Sequence, residues 1–132
     1  MAHLRRFLTF CLVGLTGVLV NMGCLVLLHG VLRLPLTLAA AIAVEVSIIS
    51  NFLGNNRWTF AGGRPRLGRF LRFNAVSLLG LGITLGVLNL LTGVYGWDYR
   101  LANLVAIGAA TLCNFLLHTI WTWGNGSGPL LA

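Results

Sequence analysis

Four apolar runs, Phe7 to Leu28, Leu36 to Leu53, Phe70 to Leu91 and Leu101 to Ile120, constrain this chain more than any other feature. A helix needs about 20 residues to cross a hydrocarbon core of roughly 30 Å, and each run supplies about that many. The composition agrees: 58% of residues are hydrophobic and only 8% are charged, too little polar surface to cover a soluble globule. The predicted fold class is therefore an all-α membrane protein with four transmembrane helices, a multi-pass protein of the plasma (inner) membrane.

All nine basic charges are arginines. A pI near 11.2 would point to nucleic acid in a soluble protein, but here the arginines act first as topology signals and no nucleic-acid partner is expected. Arg5 and Arg6 precede the first run, and Arg57, Arg64, Arg66, Arg69 and Arg72 lie around the connection between the second and third. The other two connections hold only Arg33 and Arg100. The positive-inside rule then predicts that both termini and the middle loop are cytoplasmic. The first run follows two arginines as a signal peptide would, yet it is longer than an ordinary h-region and no Ala-x-Ala site follows, so it reads as a retained span.

The chain also repeats itself. Shifting the sequence by 63 residues aligns 6–60 with 69–123 without a gap, and about 21 of the 55 aligned positions are identical. Among them are Arg6/Arg69, Phe7/Phe70, Phe10/Phe73, Gly17/Gly80, Ala39/Ala102, Ala43/Ala106, Asn51/Asn114, Phe52/Phe115, Trp58/Trp121 and Thr59/Thr122. Each copy holds two spans, an even number, so both copies start on the same side of the membrane. The expected architecture is one domain, 1–132, made of two parallel two-helix repeats about an axis along the membrane normal, unlike inverted-repeat transporters.

Polar residues inside the runs mark candidate sites. Ala39, Ala43, Ser47, Asn51 and Asn55 recur every fourth residue, as do Ala102, Ala106, Ala110, Asn114 and His118. Each set forms a drifting helical stripe, which predicts that the second and fourth helices pack closely at their small ends and part around a polar vestibule. Glu45 falls roughly 16 Å from the expected cytoplasmic border, near mid-bilayer, where a carboxylate must be paired, hydrated or protonated. Asn21, expected to face another helix, is a candidate partner for it. Gly14, Gly17 and Gly23, and the Gly82/Gly86 pair, read as close-packing positions. Trp58, Phe60, Trp121 and Trp123 read as an interfacial aromatic belt, and Asp98 with Arg100 as a surface pair at the outer interface. Cys11, Cys24 and Cys113 lack metal-ligand spacing and read as small apolar residues. The tail from Gly124 onward is Gly- and Ser-rich and is expected to be loosely ordered.

These motifs resemble those of the GtrA-like family, small four-span membrane proteins of cell-surface polysaccharide synthesis. The resemblance runs from Arg6-Phe-Leu-x-Phe through Asn51-Phe-x-x-Asn-x-Arg-Trp-Thr-Phe and Arg69-Phe-x-Arg-Phe to Asn114-Phe-Leu-Leu-His-x-x-Trp-Thr. It departs in the second copy, where Thr119 and Ile120 stand in place of Asn56 and Arg57, which weakens a phosphate contact from that motif. The resemblance implies translocation of a polyprenyl-phosphate-linked sugar from the cytoplasmic to the outer leaflet, with membrane lipid, a membrane glycosyltransferase and a second copy of the chain as expected partners. Glu45, Asn51, Asn55, Arg57, Arg69, Asn114 and His118 are the candidate cargo contacts, and Arg6, Arg69 and Arg72 the candidate phosphate ligands.

Two other classes fit the sequence: a non-transporting subunit that anchors or stabilises a polyprenyl-phosphate glycosyltransferase, and a proton-coupled exporter of small cations built around Glu45. An enzyme is the least expected reading. The sequence offers no nucleophile–base constellation and no nucleotide-binding glycine loop, and two acidic residues make no convincing metal site, so no cofactor or metal is expected.

Overall fold

The first apolar run and the arginines ahead of it form one continuous helix in the computed structural model, which describes residues 1–124. This helix, α1 (Ala2–Leu25), continues as a wider π turn over Val26–Val31. It stops where Arg33 takes a positive φ of 57° and the His29 ring bonds the Leu34 carbonyl at 2.8 Å. Pro35 then opens α2 (Leu36–Gly54), which also ends in a π turn, Asn55–Thr59. Pro suits this entry because its missing N–H would have no partner at a helix start. The second unit holds α3 (Leu67–Gly93) and α4 (Tyr99–Leu117), and α4 runs on into a third π turn, His118–Thr122. Asp98 caps α4 by accepting from the Arg100 N–H at 3.0 Å, a backbone cap in place of the expected surface pair.

The helical spans measure 30, 24, 27 and 24 residues, each apolar enough to cross a membrane. At 1.5 Å per residue they reach about 36 to 45 Å, longer than the hydrocarbon core, so their ends lie among headgroups. α1 and α3 begin at Ala2 and Leu67, ahead of the apolar runs, because Arg and Leu are good helix formers. Residues 125–132, most of the expected loose tail, lie outside the described residues. The chain divides into two units, Met1–Pro65 and Arg66–Ala132.

Within the first unit α1 lies against α2 through small residues. Ala39 and Ala43 are wholly buried, and Ser47, one turn further on, donates its hydroxyl to the Gly17 carbonyl at 2.8 Å. Gly17 is required there: a Cβ would run into the Asn51 amide. In the second unit Ala102, Ala106 and Ala110 are buried on α4, and a Cβ on Gly80 of α3 would meet the Asn114 amide. Each stripe is thus engaged by the preceding helix of its own unit. Small residues let backbones approach closely, and the large Leu, Ile and Val side chains turn outward to lipid.

Three other expectations are corrected. Gly14, Gly23, Gly82 and Gly86 face open space, so Gly17 and Gly80 alone are the close-packing positions of α1 and α3. Asn21 is half-buried but makes no hydrogen bond among the described residues. The aromatic belt is split: Trp58 and Trp121 are exposed, whereas Phe60 and Trp123 are buried at 2% and 0% exposure. A π turn inserts an extra residue, which rotates position 60 or 123 toward the unit's interior.

Candidate functional site

The π turn at the end of α2 builds one wall of an open polar groove in the first unit. The Phe60 N–H donates to the Asn55 carbonyl at 2.9 Å, the five-residue step of a π turn, and Thr59 Oγ1 donates to Asn55 Oδ1 at 2.7 Å inside it. With Phe60 turned in, Trp58 is left outside, 66% exposed. Opposite stands the first turn of α1, whose Arg5, Arg6 and Thr9 share one helical face. Together with Ala2, Thr59, Phe60 and Ala61 they line an open groove of about 550 Å³. The guanidinium groups of Arg5 and Arg6 have no hydrogen-bond or ion-pair partner among the described residues. Thr9 spends its hydroxyl proton on the Arg5 carbonyl, 2.9 Å away. Two uncommitted guanidinium groups beside an exposed indole form a donor surface matched to a phosphate or carboxylate.

A second groove of the same unit, about 480 Å³, is lined by Leu53, Asn56, Arg57, Ala61, Gly63 and Pro65. Asn56 shapes it. Its Nδ2 donates to the Gly63 carbonyl at 2.7 Å, its own carbonyl accepts from the Gly62 N–H at 2.8 Å, and Gly63 supplies the positive φ of 68° that the turn needs.

In the second unit the corresponding turn is packed shut. Trp123 N–H donates to the His118 carbonyl at 2.9 Å, and His118 Nδ1 lies 2.9 Å from Thr122 Oγ1. The His118 ring stacks on Phe73 at 4.5 Å, and the Trp123 edge closes on both. Arg69 is buried within this unit. Arg72 donates through Nη1 to the Trp121 carbonyl at 3.2 Å, with its guanidinium 5.8 Å from the Trp121 ring centre.

The candidate residues of the sequence therefore separate into three groups. Arg6 and Arg57 line the two open grooves of the first unit. Asn55 and His118 are buried and bonded to a threonine four residues on, in the interior of their own units, while Arg69 and Arg72 are engaged in the second unit. Asn51 and Asn114 sit over Gly17 and Gly80, each with a buried Oδ1 that has no hydrogen-bond partner. Glu45 stands apart. It is exposed on α2, about 180° around the helix from the Ala43–Ser47 stripe, and makes no hydrogen bond or ion pair among the described residues, so the expected pairing with Asn21 is not formed. Arg5, Thr9 and Trp58 were not candidate contacts in the sequence, although the three- and four-residue spacing of Ala2, Arg5, Arg6 and Thr9 does place them on one face.

The chain matches the GtrA/DPMS transmembrane domain over residues 9–123 and belongs to that family, which places it among multi-pass membrane proteins. It is also similar to a dolichol-phosphate mannosyltransferase of Pyrococcus furiosus, with 36% identity over 125 residues. That match takes in 93% of this chain but only 35% of the relative, so the chain spans about a third of the relative's length.

Proposed function

We propose that this protein carries a polyprenyl-phosphate-linked sugar from the cytoplasmic to the outer leaflet, for use in cell-surface polysaccharide or glycan modification. The observation that carries the reading is the groove of Arg5, Arg6, Thr9 and Trp58, with two uncommitted guanidinium groups at the end of an otherwise apolar helix pair. A lipid-linked sugar phosphate has this division of chemistry: a long apolar tail, a phosphate and a polyol. In the proposed arrangement the tail stays in lipid along the leucine-rich outer faces, the phosphate meets Arg6 and Arg5, and Arg57 and Asn56 lie beside the sugar. The arginine distribution supports a cytoplasmic location for this end and for both termini, and in this reading 6–60 and 69–123 act as parallel repeats of one domain. Glu45 is the proposed contact deeper in the membrane, because an unpartnered carboxylate on a spanning helix is retained at a cost.

Photocrosslinking tests the site. A polyprenyl-phosphate hexose with a photoreactive group beside the phosphate should label peptides containing residues 1–9 and 58–61, and Arg6→Gln should reduce labelling at least fivefold. Labelling spread evenly over all four helices, or unchanged by Arg6→Gln, contradicts the assignment.

A second reading is favoured by one observation: the similar Pyrococcus furiosus protein is named a mannosyltransferase and is about three times longer than the matched stretch. In that reading this chain holds a separate glycosyltransferase at the membrane and presents the lipid phosphate to it, without catalysing transfer itself. Co-reconstitution decides between them, since an anchoring subunit raises the partner's turnover without moving lipid.

A further inference from the structure

The two units treat the same position in opposite ways. Thr9, four residues after Arg5 on the groove face of α1, corresponds at the 63-residue offset to Arg72 on α3, just as Trp58 corresponds to Trp121. Thr9 is short and its hydroxyl is turned back to its own helix, which leaves the space between α1 and Trp58 open. Arg72 reaches across from α3, bonds the Trp121 carbonyl and lays its guanidinium over the indole. Trp121 is correspondingly less exposed than Trp58, 42% against 66%. The offset also replaces Arg5 by Gly68, and Arg69, at the position of Arg6, is buried, so the second unit has neither uncommitted cation of the first.

From this asymmetry we propose that the chain holds a single phosphate site, in the groove of Arg5, Arg6 and Trp58, and that Arg72 permanently fills the equivalent place in the second unit. The inference rests on the reading of that groove as a phosphate site and adds its stoichiometry and its occluding residue. A short side chain at position 9 admits a tetrahedral oxyanion to the guanidinium forks, whereas an arginine at that position supplies its own cation to the indole and excludes the ligand. The duplicated chain thereby has one loading point and one unit closed by its own side chain. The ligand chemistry is a phosphate monoester or diester, either a lipid headgroup or free phosphate.

The test is binding stoichiometry on the purified full chain in detergent, by native mass spectrometry with dodecyl phosphate and by equilibrium dialysis with inorganic phosphate. The wild-type chain should bind one dodecyl phosphate, and Arg6→Gln should weaken it at least tenfold. Thr9→Arg should bind none, and Gly68→Arg, which supplies the missing cation at a position with open space, should still bind one because Arg72 occupies the place. Gly68→Arg with Arg72→Thr should bind two, and adding Thr9→Arg to that pair should leave one site that Arg6→Gln no longer affects, a result that misfolding cannot produce. Binding of dodecyl phosphate at least tenfold tighter than inorganic phosphate identifies a lipid headgroup site, and equal affinities identify a free-anion site. No binding by the wild type, or one site only in Gly68→Arg with Arg72→Thr, overturns the proposal. One-to-one binding without transbilayer movement would leave this proposal standing and remove the translocase reading.

Discussion

Substituting alanine for Gly17 probes how the first unit is held together. A Cβ at this position would overlap the oxygen, the nitrogen and the carbon of the Asn51 amide, so Asn51 must swing out of a gap that α1 and α2 otherwise close. Overpacking of this kind costs about 1–3 kcal/mol, and the Ser47 bond to the Gly17 carbonyl is placed at risk as well. Against that, alanine gains about 1 kcal/mol over glycine as a helix former, so the net expected loss is roughly 0–2 kcal/mol. The neighbouring Gly14 faces open space and shows only the gain. Asn51→Ala removes the obstructing amide together with a buried oxygen that has no partner, so Gly17→Ala in that background should be neutral or better. A double-mutant cycle by equilibrium unfolding in mixed micelles, followed by circular dichroism, should give a coupling of about 1–3 kcal/mol between positions 17 and 51. Equal effects of Gly14→Ala and Gly17→Ala, or a coupling near zero, would refute the packing role assigned to Asn51.

Further outcomes follow from the same contacts. His118→Ala should destabilise the second unit by about 2–4 kcal/mol, since it removes the Phe73 stack and the Thr122 bond together, and thermal unfolding should show it without a matching loss in dodecyl phosphate affinity. Loss of the α4 cap in Asp98→Ala should cost about 1 kcal/mol by the same measurement. Glu45→Leu should favour membrane insertion of α2 by about 2–3 kcal/mol in a translocon assay, while Glu45→Gln should slow lipid movement in proteoliposomes, and unchanged movement would remove Glu45 as a cargo contact.

Much of the fold was legible in the residues because lipid allows so few solutions. Runs of about 20 apolar residues admit helices and little else, and their number and order required no tertiary information. The stripes of Ala, Ser and Asn were legible as buried faces for the same reason, yet their partners were not. Periodicity shows that Ala43 and Ser47 share a face, but only coordinates show that Gly17 of α1 covers it. The Gly82/Gly86 pair had the spacing of a packing motif and faces open space, while Gly80, outside that pair, carries the contact.

The candidate site was less legible. Polarity in an apolar context marks Asn55 and His118 equally well whether they serve cargo or satisfy a threonine of their own unit. The deciding feature was the π turn, whose extra residue turns Phe60 and Trp123 inward and leaves Trp58 outward, and no side-chain pattern announces it. Arg5 reads as a topology signal and Thr9 as an ordinary threonine near a helix start, so neither stands out in the sequence as a contact. What marks them is that the groove is open and that Arg5 and Arg6 have no other engagement.

Transbilayer movement of a polyprenyl-phosphate hexose in proteoliposomes, read with a membrane-impermeant oxidant that destroys outward-facing sugars, tests the central claim most directly. Protein-dependent movement that falls at least tenfold in Arg6→Gln, with the fold intact by circular dichroism, is the predicted result. Absence of movement across several sugar lipids, together with stimulation of a co-reconstituted glycosyltransferase, would contradict it and make the chain an anchoring subunit.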